Sequence, residues 1–395
     1  MSFRSSAIIV LWLAISSVLF AEGMRTWTNS EGKKIEAEML GANDTEVRLK
    51  MKSNGKEYKV PLNSLSAADQ AYIKAEMAKP KDDDGPARLP MGFENWDDDW
   101  PKLISGTVSP EIEIAEEDEA GKRFVYRSPR YEYVCDVKLT KNVVKRFAVL
   151  FESTNDYVRE LPLSMAKARQ DKRHKILLFE TQQSYMRNGC VPGSAGVYIP
   201  SKDVIMVPLT SLGVIKGAGG YRVDYDKGNK TLPHEILHQL TDTPYFAPGS
   251  MGWFTEGLAE YVAVTPYRSG KFMVRGNQSA IEEYVSGYGE KGKGGRALGK
   301  DIKVPDLQRF MMQSYASFSA NGNFNYGIGL LVTYYYCHWD GDGDAKRLQN
   351  FLKALKQGKR GDDALKVLLD GRSWDEMEEE IAKAWRSRGI KLNFQ

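Results

Sequence analysis

The chain has 395 residues, 42% of them hydrophobic and 27% charged. That length and composition suit a globular protein of more than one domain. A net charge of +3 is too small to argue for nucleic acid or an anionic membrane surface as a partner, and neither is expected.

Residues 1–21 read as a secretory signal. Arg4 supplies a positive start, Ala7 to Phe20 is a run of apolar and small residues, and Ala21 can end a cleavage site. The run is shorter than the roughly 20 residues that span a bilayer comfortably. Nothing later in the sequence is long and apolar enough to span. The expectation is a secreted or periplasmic protein with no stable membrane span after cleavage. Three cysteines, Cys135, Cys190 and Cys337, match no metal spacing. They permit one disulfide, whose pairing the sequence leaves open, or three buried thiols.

Residues 24–78 form the first predicted folded unit. Arg25 to Asn29, Lys34 to Leu40, Glu46 to Met51 and Lys56 to Val60 are short segments with alternating character, separated by polar turns. Asn54-Gly55 is a two-residue hairpin signal. A helix then follows Pro61 to Ser66, with Ser66 at its N-cap and Asp69 in its first turn. The leading Arg-x-Trp, a Gly-Lys turn, a Val-x-Leu strand and a closing Pro-Leu-x-x-Leu-Ser-x-x-Asp-Gln resemble the Sla homology domain. The resemblance implies a small SH3-like β-barrel that binds or spaces and carries no chemistry. Trp27 reads as core, with ligand binding as the alternative.

Residues 79–102 read as a linker, charged and rich in Pro and Gly at Lys79 to Pro86. The second domain, 103–395, has an α+β pattern. Strands are expected at Phe124 to Tyr126, Tyr131 to Asp136 and His174 to Phe179. A helix is expected over Thr140 to Leu161, where Val143, Val144, Phe147, Leu150, Phe151 and Tyr157 make an apolar stripe. Gly196 to Pro200 and Asp203 to Pro208 read as a hairpin around Ser201-Lys202. Gly217 to Asn229 reads as a mobile loop.

His234-Glu235-Ile236-Leu237-His238 is the stretch that carries chemistry. Two imidazoles four positions apart leave one face of a helix, and the Glu between them can reach a water on a shared zinc ion. Thr231 is placed to cap this helix and Pro233 falls in its first turn. After a turn-rich link comes a second helical stretch with Thr255-Glu256-Gly257-Leu258-Ala259, and Glu256 lies eighteen positions beyond His238. This pair of motifs resembles the gluzincin metallopeptidases, the thermolysin-like and aminopeptidase-like clan. The resemblance implies one zinc per chain on His234, His238 and Glu256, with Glu235 as general base. Thr255 stands where those enzymes more often carry Asn or Asp. Glu260, one turn further, either orients a zinc-binding His, as the resemblance implies, or is a solvated surface residue. The resemblance also implies that the 196–208 hairpin can hold an extended substrate by main-chain bonds, with a purely structural edge strand as the alternative.

Gly287 to Gly299 reads as a flexible insertion. A helix is expected from Val304 to Met311 and another over Leu330 to Tyr336. Tyr326, just before the latter, reads as core, with oxyanion stabilisation as the alternative. His338 reads as a helix-end residue. Asp340 to Asp344 does not fit a calcium loop. Amphipathic helices are expected over Leu348 to Leu355, Ala364 to Leu369 and Trp374 to Arg386.

The expected fold is therefore α+β: a small N-terminal SH3-like β-barrel, then a gluzincin-like metallopeptidase domain with a helical C-terminal part. The expected activity is hydrolysis of peptide bonds in a peptide or protein substrate by a zinc-activated water. A separate ligand for the SH3-like domain is a further possible partner. The alternatives are a zinc-stabilised binding module of the envelope or matrix that has no catalysis, and a zinc hydrolase acting on a non-peptide amide.

Overall fold

The computed structural model describes residues 24–42, 45–78, 94–167, 172–190, 194–224, 232–245, 251–288 and 294–395. The expected signal segment 1–21, the acidic run of the linker and Thr231 lie outside the described residues. The chain divides into two units of dense internal contact, Met1–Ala87 and Arg88–Gln395.

In the first unit β1 (Arg25–Thr28), β2 (Lys34–Ala42), β3 (Glu46–Met51) and β4 (Glu57–Pro61) form an antiparallel sheet in that order. Helix α1 (Ala67–Ala78) follows. The alternation seen in the sequence is the burial pattern. Trp27, Ala37, Met39, Val47 and Leu49 face inward and meet Leu65 and Ile73 in a core separate from that of the second unit. Trp27 is fully buried and its indole N–H donates to the carbonyl of Ala37 at 2.9 Å, so it is core and not a ligand platform. Among the described residues the sheet does not close into a barrel. β1 and β4 share no ladder; the end of β1 is tied by single bonds, Ser30 N–H to Ser64 O and Ser66 N–H to Thr28 O, to the turn after β4. The Asn54-Gly55 signal also resolves differently. Met51 N–H pairs with Lys56 O, which leaves four residues in the loop, with Gly55 at φ +66°. Glycine suits that left-handed position.

The second unit begins earlier than the sequence pattern suggested. Asn95, read as linker, donates to Arg159 O and Leu161 O and accepts from Ser164 N–H, and Trp96 is buried in the main core. The elements that follow are β5 (Ile104–Ser105), β6 (Glu113–Asp118), β7 (Arg123–Arg127), β8 (Tyr131–Cys135), α2 (Lys141–Glu160), β9 (His174–Phe179), α3 (Gln182–Arg187), β10 (Val197–Ile199) and β11 (Val204–Pro208). Six of these strands make one mixed sheet in the order β10-β11-β9-β8-β7-β6. β8, β9 and β11 run parallel, and β10 turns back as the antiparallel edge, with Tyr198 opposite Ile205. The expected hairpin is thus present. Helix α2 starts at an N-cap Thr140 and buries Val143, Val144, Phe147, Phe151, Tyr157 and Val158.

Part of the stretch read as a mobile loop is instead a hairpin, β12 (Val214–Gly217) with β13 (Gly220–Val223). Lys216 and Tyr221 both reach Glu180, which pins it. Next come α4 (Leu232–Leu240), α5 (Gly252–Val264), the short strands β14 (Tyr267–Arg268) and β15 (Lys271–Phe272), and α6 (Asn277–Ser286). The chain closes with β16 (Asp301–Val304), α7 (Leu307–Met311), α8 (Tyr315–Ala320), α9 (Gly322–His338), α10 (Lys346–Lys356), α11 (Gly361–Leu369), α12 (Trp374–Arg386) and β17 (Lys391–Phe394), the last parallel to β16. The helix expected from Val304 to Met311 starts at Leu307, and Val304 instead ends the strand Asp301–Val304. The molecule is a mixed α+β protein with an N-terminal antiparallel sheet.

Two glycines let α5 and α9 touch. A Cβ on Gly257 would sit 2.4 Å from Gly329 O and 2.4 Å from the Thr333 hydroxyl, and one on Gly329 would sit 2.8 Å from Trp253 O. No side chain fits between backbones at that spacing. This close crossing fixes the height of α5, and with it the carboxylates of Glu256 and Glu260.

The three cysteines are free and buried. Burial pushes the Cys135 thiol up to about 12. Asp340 is buried between Arg347 at 3.1 Å and Arg372 at 2.8 Å, so the start of the acidic run is neutralised by arginines.

Candidate metal centre

Helix α4 is short and almost wholly buried, with only Glu235 half-exposed. Ile236, Leu237 and Leu240 join the main core. The Gln239 amide donates to Lys175 O in β9 and to Asp203 O beside β11, each at 3.2 Å, which locks the helix against the sheet. Its other face carries His234 and His238, one turn apart as their spacing requires. Helix α5 returns alongside and presents Glu256. Thr255, at the position where the sequence comparison left a question, bonds its own helix through Met251 O at 3.0 Å and does not reach the imidazoles.

The ligand-type atoms converge. His234 Nε2 and His238 Nε2 are 3.0 Å apart, and Glu256 Oε2 lies 3.0 Å from the first and 3.3 Å from the second. All three residues are buried. A tetrahedral zinc ion with bonds of 2.0–2.1 Å separates its ligands by about 3.3 Å, so this triangle is close to the face of such a tetrahedron. Two neutral imidazole nitrogens and one carboxylate oxygen are also the donor types that zinc takes. The three residues therefore fit the ion that the sequence pattern implies, and among the described residues no fourth His, Cys, Asp or Glu joins them.

The charges of the cluster depend on one another. Burial alone would push the His234 imidazole down, but the carboxylates of Glu256 and Glu260 hold it well above its ordinary value. Burial would raise Glu256, but the two imidazoles hold it well below the usual carboxylate range. Within the cluster the buried carboxylate and the imidazoles thus favour each other's charged forms.

A second layer supports the first. Glu260 Oε1 accepts from His234 Nδ1 at 3.0 Å, which leaves Nε2 for the centre. Glu260 is 2% exposed and is not a surface residue. Its other oxygen is held by Arg296 at 2.8 Å and by the Tyr284 hydroxyl. Burial raises Glu260, and the contacts with His234, Arg296 and Tyr284 outweigh it and lower it. Tyr315 donates its hydroxyl to Glu256 Oε1 at 2.9 Å. Tyr326 stacks on the His234 ring at 6.0 Å between centroids, with the Arg296 guanidinium over its face at 5.1 Å. Burial and the charge of Glu256 both push the Tyr326 phenol up, so it stays protonated.

Glu235 points elsewhere than the three ligands. Its Oε2 accepts from the backbone N–H of Tyr198 in the edge strand β10 at 2.8 Å. Tyr198 is itself anchored, because its hydroxyl donates to Asp203 at 2.9 Å, and Lys167 pairs with the same carboxylate at 3.1 Å. His338 stands apart. Its ring packs on Trp100 and Tyr334, its Nε2 is 3.0 Å from the Tyr261 hydroxyl, and burial holds its pKa down to about 4.

The structure therefore brings together His234, His238, Glu256, Glu260 and Tyr326. Arg296, Tyr284 and Tyr315 were not anticipated. Arg296 lies in the stretch read as a flexible insertion, which past residue 293 is held by main-chain bonds such as Arg296 N–H to Tyr284 O and Leu298 N–H to Val285 O. A lone Arg among glycines carries no periodic signal that could have flagged it.

No curated protein matches the chain. Residues 20–80 match the family model for SLA1 homology domain 1, so the N-terminal unit is a domain of that family.

Proposed function

We propose that the second unit is a zinc-dependent peptidase of gluzincin type, acting outside the cytoplasm on peptide or protein substrates. The convergence of His234 Nε2, His238 Nε2 and Glu256 Oε2 within 3.3 Å of one another carries this reading. Zinc, when bound there, would polarise the scissile carbonyl and acidify an attacking water. His234, His238 and Glu256 hold the ion, and Glu260 keeps the His234 ring turned with Nε2 inward.

Glu235 acts as general base. Its Oε2 is held by Tyr198 N–H, so Oε1 is the atom that receives the proton of the attacking water and returns it to the leaving amine. The anchor is also a link to the substrate, because β10 is the sheet edge. An extended peptide laid along that edge would pair with its main chain and place a peptide bond beside Glu235. The Tyr326 phenol, kept protonated by burial, is a candidate donor to the carbonyl oxygen as charge develops on it. The N-terminal domain binds a separate ligand or acts as a spacer.

A second reading has one observation behind it. The Tyr198 N–H bond gives the Glu235 carboxylate a structural job, as it would have in a non-catalytic zinc scaffold. Zinc content and turnover of a peptide library separate the two. A peptidase binds one zinc per chain, loses it in the His238→Ala and Glu256→Ala variants, and cleaves peptides in a chelator-sensitive way. Zinc without cleavage of any peptide would favour the scaffold, and full zinc in both variants would refute the ligand set.

A further inference from the structure

We propose that Tyr315 is a positioning residue that keeps Glu256 a one-oxygen metal ligand and so keeps the fourth coordination position open. The proposal rests on the zinc reading above and adds a residue to it. A carboxylate can bind zinc through one oxygen or both, and a second oxygen swinging in occupies the place where water or substrate must bind. The two oxygens of Glu256 are already divided between different partners. Oε2 alone faces the imidazoles, at 3.0 and 3.3 Å, while Oε1 accepts the Tyr315 hydroxyl at 2.9 Å. A hydrogen bond from a hydroxyl to a carboxylate of low exposure is strong enough to hold that oxygen away from the centre.

The hydroxyl is well placed to do this although Tyr315 as a residue is 50% exposed. Helix α8 opens at Ser314, whose hydroxyl accepts from Ser317 N–H. Phe318, one turn on, is buried against Gly252 at the start of α5 and stacks on Tyr326 at 5.8 Å. Asn325 of α9 donates to Phe318 O at 2.7 Å. The short helix is thus fastened to α5, which carries Glu256, and to α9, and its first residue stands over Glu256.

Tyr315→Phe tests this, because it keeps the ring and removes only the donor. The full-length protein is loaded with cobalt in place of zinc, and metal content and the visible absorption band are recorded for wild type and variant. We expect equal cobalt content, and a band that loses roughly half or more of its intensity as coordination expands from four to five. Peptide turnover should fall in parallel. A variant spectrum that matches wild type overturns the proposal and leaves the metal site standing. A variant that no longer holds cobalt also overturns it, since Tyr315 would then support ligation itself and not the choice of oxygen. A wild-type protein that binds no cobalt removes the zinc reading and this proposal together.

Discussion

Glu260 Oε1 lies 3.0 Å from Nδ1 of His234, on the side of the ring opposite the nitrogen that faces His238 and Glu256. A buried carboxylate there fixes the tautomer, so Nε2 carries the lone pair. Losing such an outer partner commonly costs 10–100-fold in metal affinity. Glu260→Gln should weaken zinc binding by about that range, measured by competition with a chromophoric chelator. Unchanged affinity would mean that the α4 backbone alone orients the ring.

The crossing of α5 and α9 predicts a second effect. In Gly257→Ala the new methyl group would lie 2.4 Å from Gly329 O and from the Thr333 hydroxyl, and α5 cannot yield without moving Glu256. Overpacking of this kind destabilises by about 1–3 kcal/mol. Thermal unfolding should therefore move down, and zinc affinity should fall with it. Gly276→Ala is the control, because nothing lies within 4 Å of its added Cβ.

In the N-terminal domain, Asp69 gives a pH-dependent test. Asp69 is 3% exposed, and its carboxylate accepts from Arg25, Thr28 N–H and the Ser66 hydroxyl. Burial would raise its pKa, but these bonds outweigh burial and lower it from 3.8. A depressed carboxylate contributes stability that is present above its unfolded value and is lost as pH falls through its folded value. Asp69→Asn should therefore cost about 1–3 kcal/mol at neutral pH. The gap from wild type should close under acid, well below pH 4. Hydrogen exchange at the backbone amides of 25–73 in the full chain reads both limits.

The cluster of His234, His238 and Glu256 was legible in the sequence because its geometry is local. H-E-x-x-H places two rings by helical periodicity alone, and Glu256 sits on the next helix of the same helical pair. Glu260 was legible as one of two alternatives for the same reason. Tyr315 and Arg296 were not, since they reach Glu256 and Glu260 across 59 and 36 positions from a six-residue helix and a glycine-rich return. Their contacts depend on where α8 and the 294–299 segment dock, and no periodicity encodes that. The hairpin at Val214–Val223 was hidden by its glycines, which mark a tight turn as readily as a loose loop. The open edge of the first sheet escaped notice because four alternating strands satisfy a barrel and an open sheet equally well.

Glu235 decides between enzyme and scaffold. Glu235→Gln keeps the size of the side chain, and the amide oxygen can still accept from Tyr198 N–H, so fold and zinc content should stay as in wild type. What the amide cannot do is take a proton from water. Zinc content and peptide turnover are to be measured on the same preparations of wild type and Glu235→Gln. The account predicts equal zinc and turnover lower by about 10²-fold or more. Equal turnover in the two proteins, with zinc bound in both, would contradict it.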